Sequence, residues 1–205
     1  MFWALVPNYM RQWDYVNSQR VDYFIANSIN VKKRIKRYYS RESEVIHPPL
    51  AYDKFEVGEP EEFYLFIGQL NPYKKADLAI RAFNRLEKKL VIIGDGPQKK
   101  ELKKIAGPHI EFLGKQPDRV LVDCYSKCKG FIFPGEEDFG ITPLEAMASG
   151  KPVIAYGKGG ALVPYHLVFC HKKQEYYAAI SSSCSVDAAK KAFNMFVNFT
   201  PLSVI

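Results

Sequence analysis

The residues best suited to chemistry lie in one run, Phe133-Pro134-Gly135-Glu136-Glu137-Asp138-Phe139-Gly140-Ile141-Thr142-Pro143-Leu144-Glu145. An apolar stretch leads into a glycine-containing loop and then into a helical stretch. The start of such a helix offers backbone N–H groups without intrahelical partners and the positive end of the helix dipole, an arrangement suited to a diphosphate. Thr142, Pro143 at the first helical position and Glu145 have the spacing of a capping box, which gives Glu145 a purely structural reading. A carboxylate at that spot can equally accept hydrogen bonds from sugar hydroxyls. Glu137 has no capping explanation and reads either as a ligand-facing acid or as an ordinary exposed loop acid. Lys74 stands at a helix start, where a cation works against the dipole, so a ligand role is favoured over a solvated one. Gly94-Asp95-Gly96 is a weak signal alone, because turns commonly use these residues. Gly159-Gly160 reads either as a surface turn or as a close approach of backbone.

These loops need elements to hold them. Strand-like runs at 63–67, 89–93, 110–113, 130–133 and 152–155 alternate with helical runs at about 75–87, 97–105, 118–127 and 142–149. Such alternation predicts an α/β domain, a Rossmann-like parallel sheet with helices on both faces. Leu90-Val91-Ile92-Ile93 suits a strand buried on both sides. Ligands on such sheets bind beyond the C-terminal ends of the strands. The loops there are Gly68–Lys75, Gly94–Pro97, Gly114–Pro117, Pro134–Thr142 and Tyr156–Gly160. Upstream, 21–26 reads as a buried strand, Ser28 as the cap of a helix through about Tyr39, and Glu44–His47 as a short strand ending at Pro48-Pro49. Downstream of Leu162 the character shifts: acids become rare, a serine run occupies 181–183, and a helix from about Val186 to Asn198, capped by Ser185, is expected.

The string Glu137-x-Phe139-Gly140, then Glu145-Ala146-Met147-Ala148-x-Gly150-x-Pro152-Val153-Ile154-Ala155, resembles the retaining glycosyltransferases of group 1 with the GT-B fold. Phe66 to Lys75 is similar to that family's phosphate-binding loop, Ile92 to Pro97 to its next strand and turn, and Phe112-Leu113-Gly114-Lys115 to the loop beside the nucleobase. Arg11-x-Trp13-Asp14 and Arg20-Val21-Asp22-Tyr23-Phe24-Ile25-Ala26-Asn27-Ser28 resemble the O-antigen and capsule mannosyltransferase branch, whose setting is polysaccharide biosynthesis. The likeness spans residues 8–161 or so.

The resemblance implies roles for individual residues. Glu137 would bind the donor sugar and act in catalysis, and Glu145 would bind the ribose. Lys74 would contact the diphosphate and stabilise its growing charge. Gly68, Gln69 and Lys75 would complete the phosphate loop, Phe139, Gly140, Ile141 and Thr142 would present the helix start, and Lys115 and Gln116 would line the base pocket. The expected reaction moves a hexose, mannose favoured, from GDP-mannose or another nucleoside diphosphate sugar to a glycan or lipid-linked acceptor, with no metal or other cofactor. Two departures stand out. Gln69 replaces an arginine usual in the family, which leaves more of the phosphate charge to Lys74 and Lys75, and Val163 stands where a glutamate is usual. The expected organisation is therefore a remnant of an acceptor domain and linker (1–47), a donor domain (48–162) and an atypical tail (163–205). The alternative is a non-catalytic nucleotide-sugar-binding subunit whose acceptor domain comes from a partner.

Composition narrows the remaining choices. The 205 residues are 47% hydrophobic and 25% charged, enough for a sizeable core and unlike a disordered chain. The net charge of +7 fits an anionic ligand, an acidic membrane surface or nucleic acid, and no zinc-finger or RRM-type motif supports the last. Lys32, Lys33, Arg34, Lys36 and Arg37 read first as a solvated helix face and second as a surface for anionic lipid. The expected location is cytoplasmic, with peripheral contact at the inner face of the membrane under the second reading. Cys124, Cys128, Cys170 and Cys184 form no C-x-x-C pair, which fits reduced, packing cysteines. No apolar run reaches the length of a membrane span, and the first residues lack a signal peptide's basic start.

Overall fold

The computed structural model describes residues 2–160 and 178–181. The chain divides into two compact units, Met1–Pro49 and Leu50–Ile205.

In the first unit, helix α1 (Phe2–Ser18) precedes strand β1 (Ile25–Ala26), helix α2 (Ile29–Tyr39) and strand β2 (Glu44–Val45). β1 and β2 pair in parallel. Ser28 caps α2 as its sequence position implies, its Oγ accepting from the Val31 N–H at 3.1 Å. The strand expected over 21–26 shortens to two residues, and most of the stretch is exposed, Tyr23 by 90% and Ile25 by 65%, while Ala26 is fully buried. The reason is local. The Arg41 guanidinium donates to the Val21 carbonyl at 2.7 Å and to the Asp22 carbonyl at 3.2 Å, so a side chain holds this backbone where a ladder was expected. The strand expected over Glu44–His47 likewise ends at Val45.

In the second unit the alternation expected from the sequence is present. Strands β3 (Tyr64–Ile67), β4 (Leu90–Ile93), β5 (Ile110–Gly114), β6 (Gly130–Phe133) and β7 (Val153–Tyr156) alternate with helices α3 (Ala76–Leu86), α4 (Lys99–Ile105), α5 (Asp118–Lys127) and α6 (Ile141–Ala148). A further strand, β8 (Ala178–Ser181), pairs in parallel with β7. Among the described residues the sheet order is β5-β4-β3-β6-β7-β8, all parallel. β8 lies in the stretch that the sequence had left without an assigned strand, and the helix expected over 186–198 lies outside the described residues.

Strand residues alternate between two cores, as the two-residue period of a pleated strand requires. Leu65, Val91, Phe131, Phe133 and Val153 pack with Tyr125 of α5 and Leu144 and Met147 of α6. Tyr64, Phe66, Ile92, Ile132 and Ile154 pack on the other side with Ile80 and Phe83 of α3 and Leu102 of α4. The sheet is thus covered on both faces, which is why its strands read as unbroken apolar runs. The order reverses direction between β3 and β6: β4 and β5 wind to one side, β7 and β8 to the other. Loops leaving β3 and β6 therefore diverge from the C-terminal edge at the crevice where such sheets take ligands.

Candidate functional site

The loop after β3 contains a one-turn 3-10 helix, Pro72–Lys74, and Lys75 then adopts a left-handed conformation (φ 55°) before α3 begins at Ala76. Lys74 therefore precedes α3 and does not lie in its first turn, which corrects the helix-start placement. Its ammonium donates to Glu137 Oε1 in the loop after β6. The two side chains are 18% and 21% exposed, so solvent screens this pair only weakly. Gly135 makes the meeting of the two loops possible, because a β-carbon there would lie 2.9 Å from the Tyr73 carbonyl oxygen and 3.0 Å from Lys74 Cα.

A third loop fixes Glu137 from behind. Gly159 forms a parallel bridge with Glu137, and the Gly160 N–H donates to the Glu137 carbonyl. Gly159 has φ 68°, and a β-carbon at Gly159 or Gly160 would overlap the carbonyl of Glu137 or Asp138. The close-approach reading of this pair is the one the structure shows.

Helix α6 begins two residues earlier than the capping box requires, at Ile141 where the box puts the first helical residue at Pro143. Gly140 (φ 82°) turns the chain into the helix, Ile141 is its first residue, and no side chain caps it. Thr142 is consequently inside the helix, and the box of Thr142, Pro143 and Glu145 does not form. The left-handed glycine makes the turn by itself, so no side-chain oxygen is called on. The Phe139 side chain is buried in the core, which leaves its backbone N–H beside those of Gly140 and Ile141 at the helix start.

Glu145 is engaged differently. The Tyr125 hydroxyl donates to its Oε2 at 2.8 Å. Burial pushes the Glu145 carboxyl above its ordinary pKa, and the hydrogen bond from Tyr125 opposes that shift. Burial drives the Tyr125 phenol well above its usual value, with the Glu145 charge adding to the effect. The sequence did not point to Tyr125, since a tyrosine on a helical apolar face reads only as core.

The remaining expected residues are placed as follows. Gly68 donates its N–H to the Ile93 carbonyl at 3.0 Å, which ties the exits of β3 and β4. Gln69 is exposed and accepts from Asn71 Nδ2 at 3.0 Å. Lys75 is exposed next to Lys74. Lys115 is exposed after β5, and the Gln116 amide donates to the Leu113 carbonyl at 2.6 Å within its own loop. Lys74, Glu137, Gly140, Ile141 and Thr142 thus gather around the β3–β6 crevice, Glu145 sits on α6 beside α5, and Lys115 and Gln116 follow β5. Among the described residues no group of three or more His, Cys, Asp or Glu is arranged to hold a metal ion, and no helix is long and apolar enough to cross a membrane.

Comparison with known proteins agrees with this architecture. The chain is 32% identical over 127 residues to the sulfoquinovosyl transferase SQD2 of Arabidopsis thaliana, covering 58% of this chain and 25% of that one. It is 38% identical over 96 residues to the GDP-mannose-dependent alpha-mannosyltransferase of Mycolicibacterium smegmatis, covering 46% and 25%. The fold matches that of Anabaena HepE, solved in complex with UDP and glucose, with a TM-score of 0.73 at 19% identity over 87% of this chain and 54% of that one. The chain thus spans a quarter of the length of these two curated relatives and about half of the solved one. The family model for glycosyl transferases group 1 matches residues 51–195, and so runs past Val163 and through β8. With most of its length matched and the sheet, crevice and helix start in place, the chain belongs to the glycosyl transferases group 1 family.

Proposed function

We propose that this chain carries the donor site of a hexosyltransferase that moves mannose from GDP-mannose to a glycan or lipid-linked acceptor with retention of configuration. The observation that carries the proposal is the meeting of Lys74 and Glu137 at the β3–β6 crevice, beside the uncapped start of α6. A diphosphate between Lys74 and the α6 N–H groups meets a cation and a dipole of matching sign. Its leaving-group charge grows during transfer, and Lys74 stabilises that charge. Glu137 accepts hydrogen bonds from the donor hexose and steadies its developing positive charge. Glu145 accepts from the ribose hydroxyls, and the loop at Lys115 and Gln116 flanks the base. Retention follows the front-face route attributed to this family, in which the acceptor attacks from the side the diphosphate leaves.

Two observations support mannose: the M. smegmatis relative is a GDP-mannose-dependent enzyme, and the Arg11–Ser28 stretch resembles the mannosyltransferase branch. Calorimetry with GDP-mannose and UDP-glucose tests the proposal. Heat with GDP-mannose in preference to UDP-glucose is expected. Heat with neither overturns the donor site, and preference for UDP-glucose overturns mannose alone. Retention is tested by proton NMR of donor hydrolysis, in which the first sugar released keeps the α configuration of the donor.

A further inference from the structure

Tyr125 lies on α5, outside the motif that carries the family likeness, and is 1% exposed. Its ring packs edge-on against Phe55 at 5.8 Å between centroids and at a tilt against Phe131 at 5.6 Å, so it has little freedom to move. A buried tyrosine hydroxyl needs a polar partner. This one donates to a single atom, Glu145 Oε2, at 2.8 Å. Glu145 is the fifth of the eight residues of α6, about one turn from its start, and side chains in helices lean toward the helix N-terminus, here the end at the β3–β6 crevice. The last torsion of a glutamate is broad and weakly held. A rigid donor on one oxygen fixes the plane of the carboxylate and leaves the other oxygen's acceptor positions for a ligand.

We infer that Tyr125 is a positioning residue for donor binding: its hydroxyl fixes Glu145 Oε2 so that Oε1 accepts from the vicinal hydroxyls of the nucleotide ribose. The inference rests on the ribose role of Glu145 proposed above. The charged groups around Glu145 are Asp118 on the same helix as Tyr125 and Lys54 in the short turn Tyr52–Lys54. They act on it through space, and the hydrogen bond to Oε2 is from Tyr125.

The test compares GDP with 2′,3′-dideoxy-GDP on the full 205-residue chain, as wild type, Tyr125→Phe, Glu145→Gln and the double variant. Loss of both ribose hydroxyls is expected to weaken wild-type binding by about tenfold or more, the scale of a hydrogen bond to a charged group. In Tyr125→Phe the same chemical deletion should cost less than about threefold, with GDP itself bound several-fold more weakly. Glu145→Gln should show the same flattened preference, and adding Tyr125→Phe to it should change nothing further, because the two act as one unit. A core tyrosine with only a packing role would weaken GDP and its dideoxy form equally. A wild type indifferent to the ribose hydroxyls overturns the ribose role of Glu145 and this inference with it. A wild type that prefers the hydroxyls and a Tyr125→Phe variant that prefers them just as strongly overturn the inference alone. If Tyr125→Phe does not fold by circular dichroism, Tyr125→Trp, whose indole N–H can still donate, serves in its place, and retention of more ribose preference than in Glu145→Gln is the expected result. Its reduction to the level of Glu145→Gln overturns the inference.

Discussion

Lys74 and Glu137, 63 positions apart in the chain, are bonded to each other across the two loops that leave β3 and β6. Each of the two proposed ligand groups is thus bonded to the other. Under the proposed roles a donor separates them, its diphosphate replacing Glu137 on Lys74 and its hexose replacing Lys74 on Glu137.

That exchange makes the two ends of the donor separable. Glu137→Ala releases Lys74 in advance, so the variant should bind GDP at least as tightly as wild type does. It should lose most of the extra affinity that GDP-mannose has over GDP. Lys74→Ala should weaken both ligands by about tenfold or more, because a charge-assisted contact to phosphate is among the strong ones. Calorimetric titration of both variants with both ligands checks the pattern, and a Glu137→Ala variant that binds GDP-mannose unchanged refutes the role given to Glu137.

The glycine pair behind Glu137 should be as sensitive as the acid itself. Gly159→Ala places a β-carbon into the Glu137 carbonyl at a left-handed residue, and Gly160→Ala places one into the Asp138 carbonyl. Each should cost about 1–3 kcal/mol in urea denaturation, the range for strained backbone and overpacking. Each should also weaken GDP-mannose binding, although neither residue has a side chain to contact a donor.

Acid should weaken donor binding through Glu145. Burial raises its pKa, so the carboxylate proposed to bind the ribose takes up a proton at a higher pH than an ordinary glutamate does. GDP-mannose affinity should therefore fall as pH drops through the range just above the usual carboxyl value. Tyr125→Phe removes an interaction that favours the charged form, so its acid limb should lie at higher pH. The sign for folding is opposite. With a raised pKa in the folded state, wild type loses stability relative to Glu145→Gln as pH rises through that range. Fluorescence titrations and urea melts across pH check both.

Lys151 provides a test remote from the donor. It is 3% exposed and donates to the Gly58 carbonyl at 2.8 Å, tying the segment before β3 to the connection between α6 and β7. Lys151→Ala should cost about 2–3 kcal/mol, from lost packing and an unpaired carbonyl. Burial lowers the lysine pKa, so its charged form opposes folding. Stability of wild type relative to Lys151→Met should thus rise with pH through the window between the lowered value and the usual one, measured by urea melts at neutral and alkaline pH.

The layered sheet was legible because strands covered on both faces leave unmistakable apolar runs, and β3 to β7 lie within a residue or so of their expected bounds. The ends of elements were harder. Thr142 looked like a cap because its spacing to Glu145 is that of a box, yet the left-handed Gly140 starts the helix without it. Residues 21–26 looked buried because their side chains are apolar, yet Arg41, distant in sequence, claims the backbone at Val21 and Asp22. Within the site, Lys74, Glu137 and Glu145 were each visible as types in a pattern. Their partners were not, because the Lys74–Glu137 and Tyr125–Glu145 bonds depend on which strands become neighbours, and sheet order has no local signature in the sequence.

That sheet order also bears on how the protein is made. β3 leaves the ribosome early, but its neighbour β6 follows only after β4 and β5, so the seam between them closes late. Both loops of the donor crevice belong to that seam. A nucleotide sugar bound there engages only chains whose two sheet halves have joined, and at a hundred times its Kd it would add about 2.7 kcal/mol to that state. Under the proposed donor role, activated sugar would hold assembled molecules against reopening and leave incomplete ones to proteolysis.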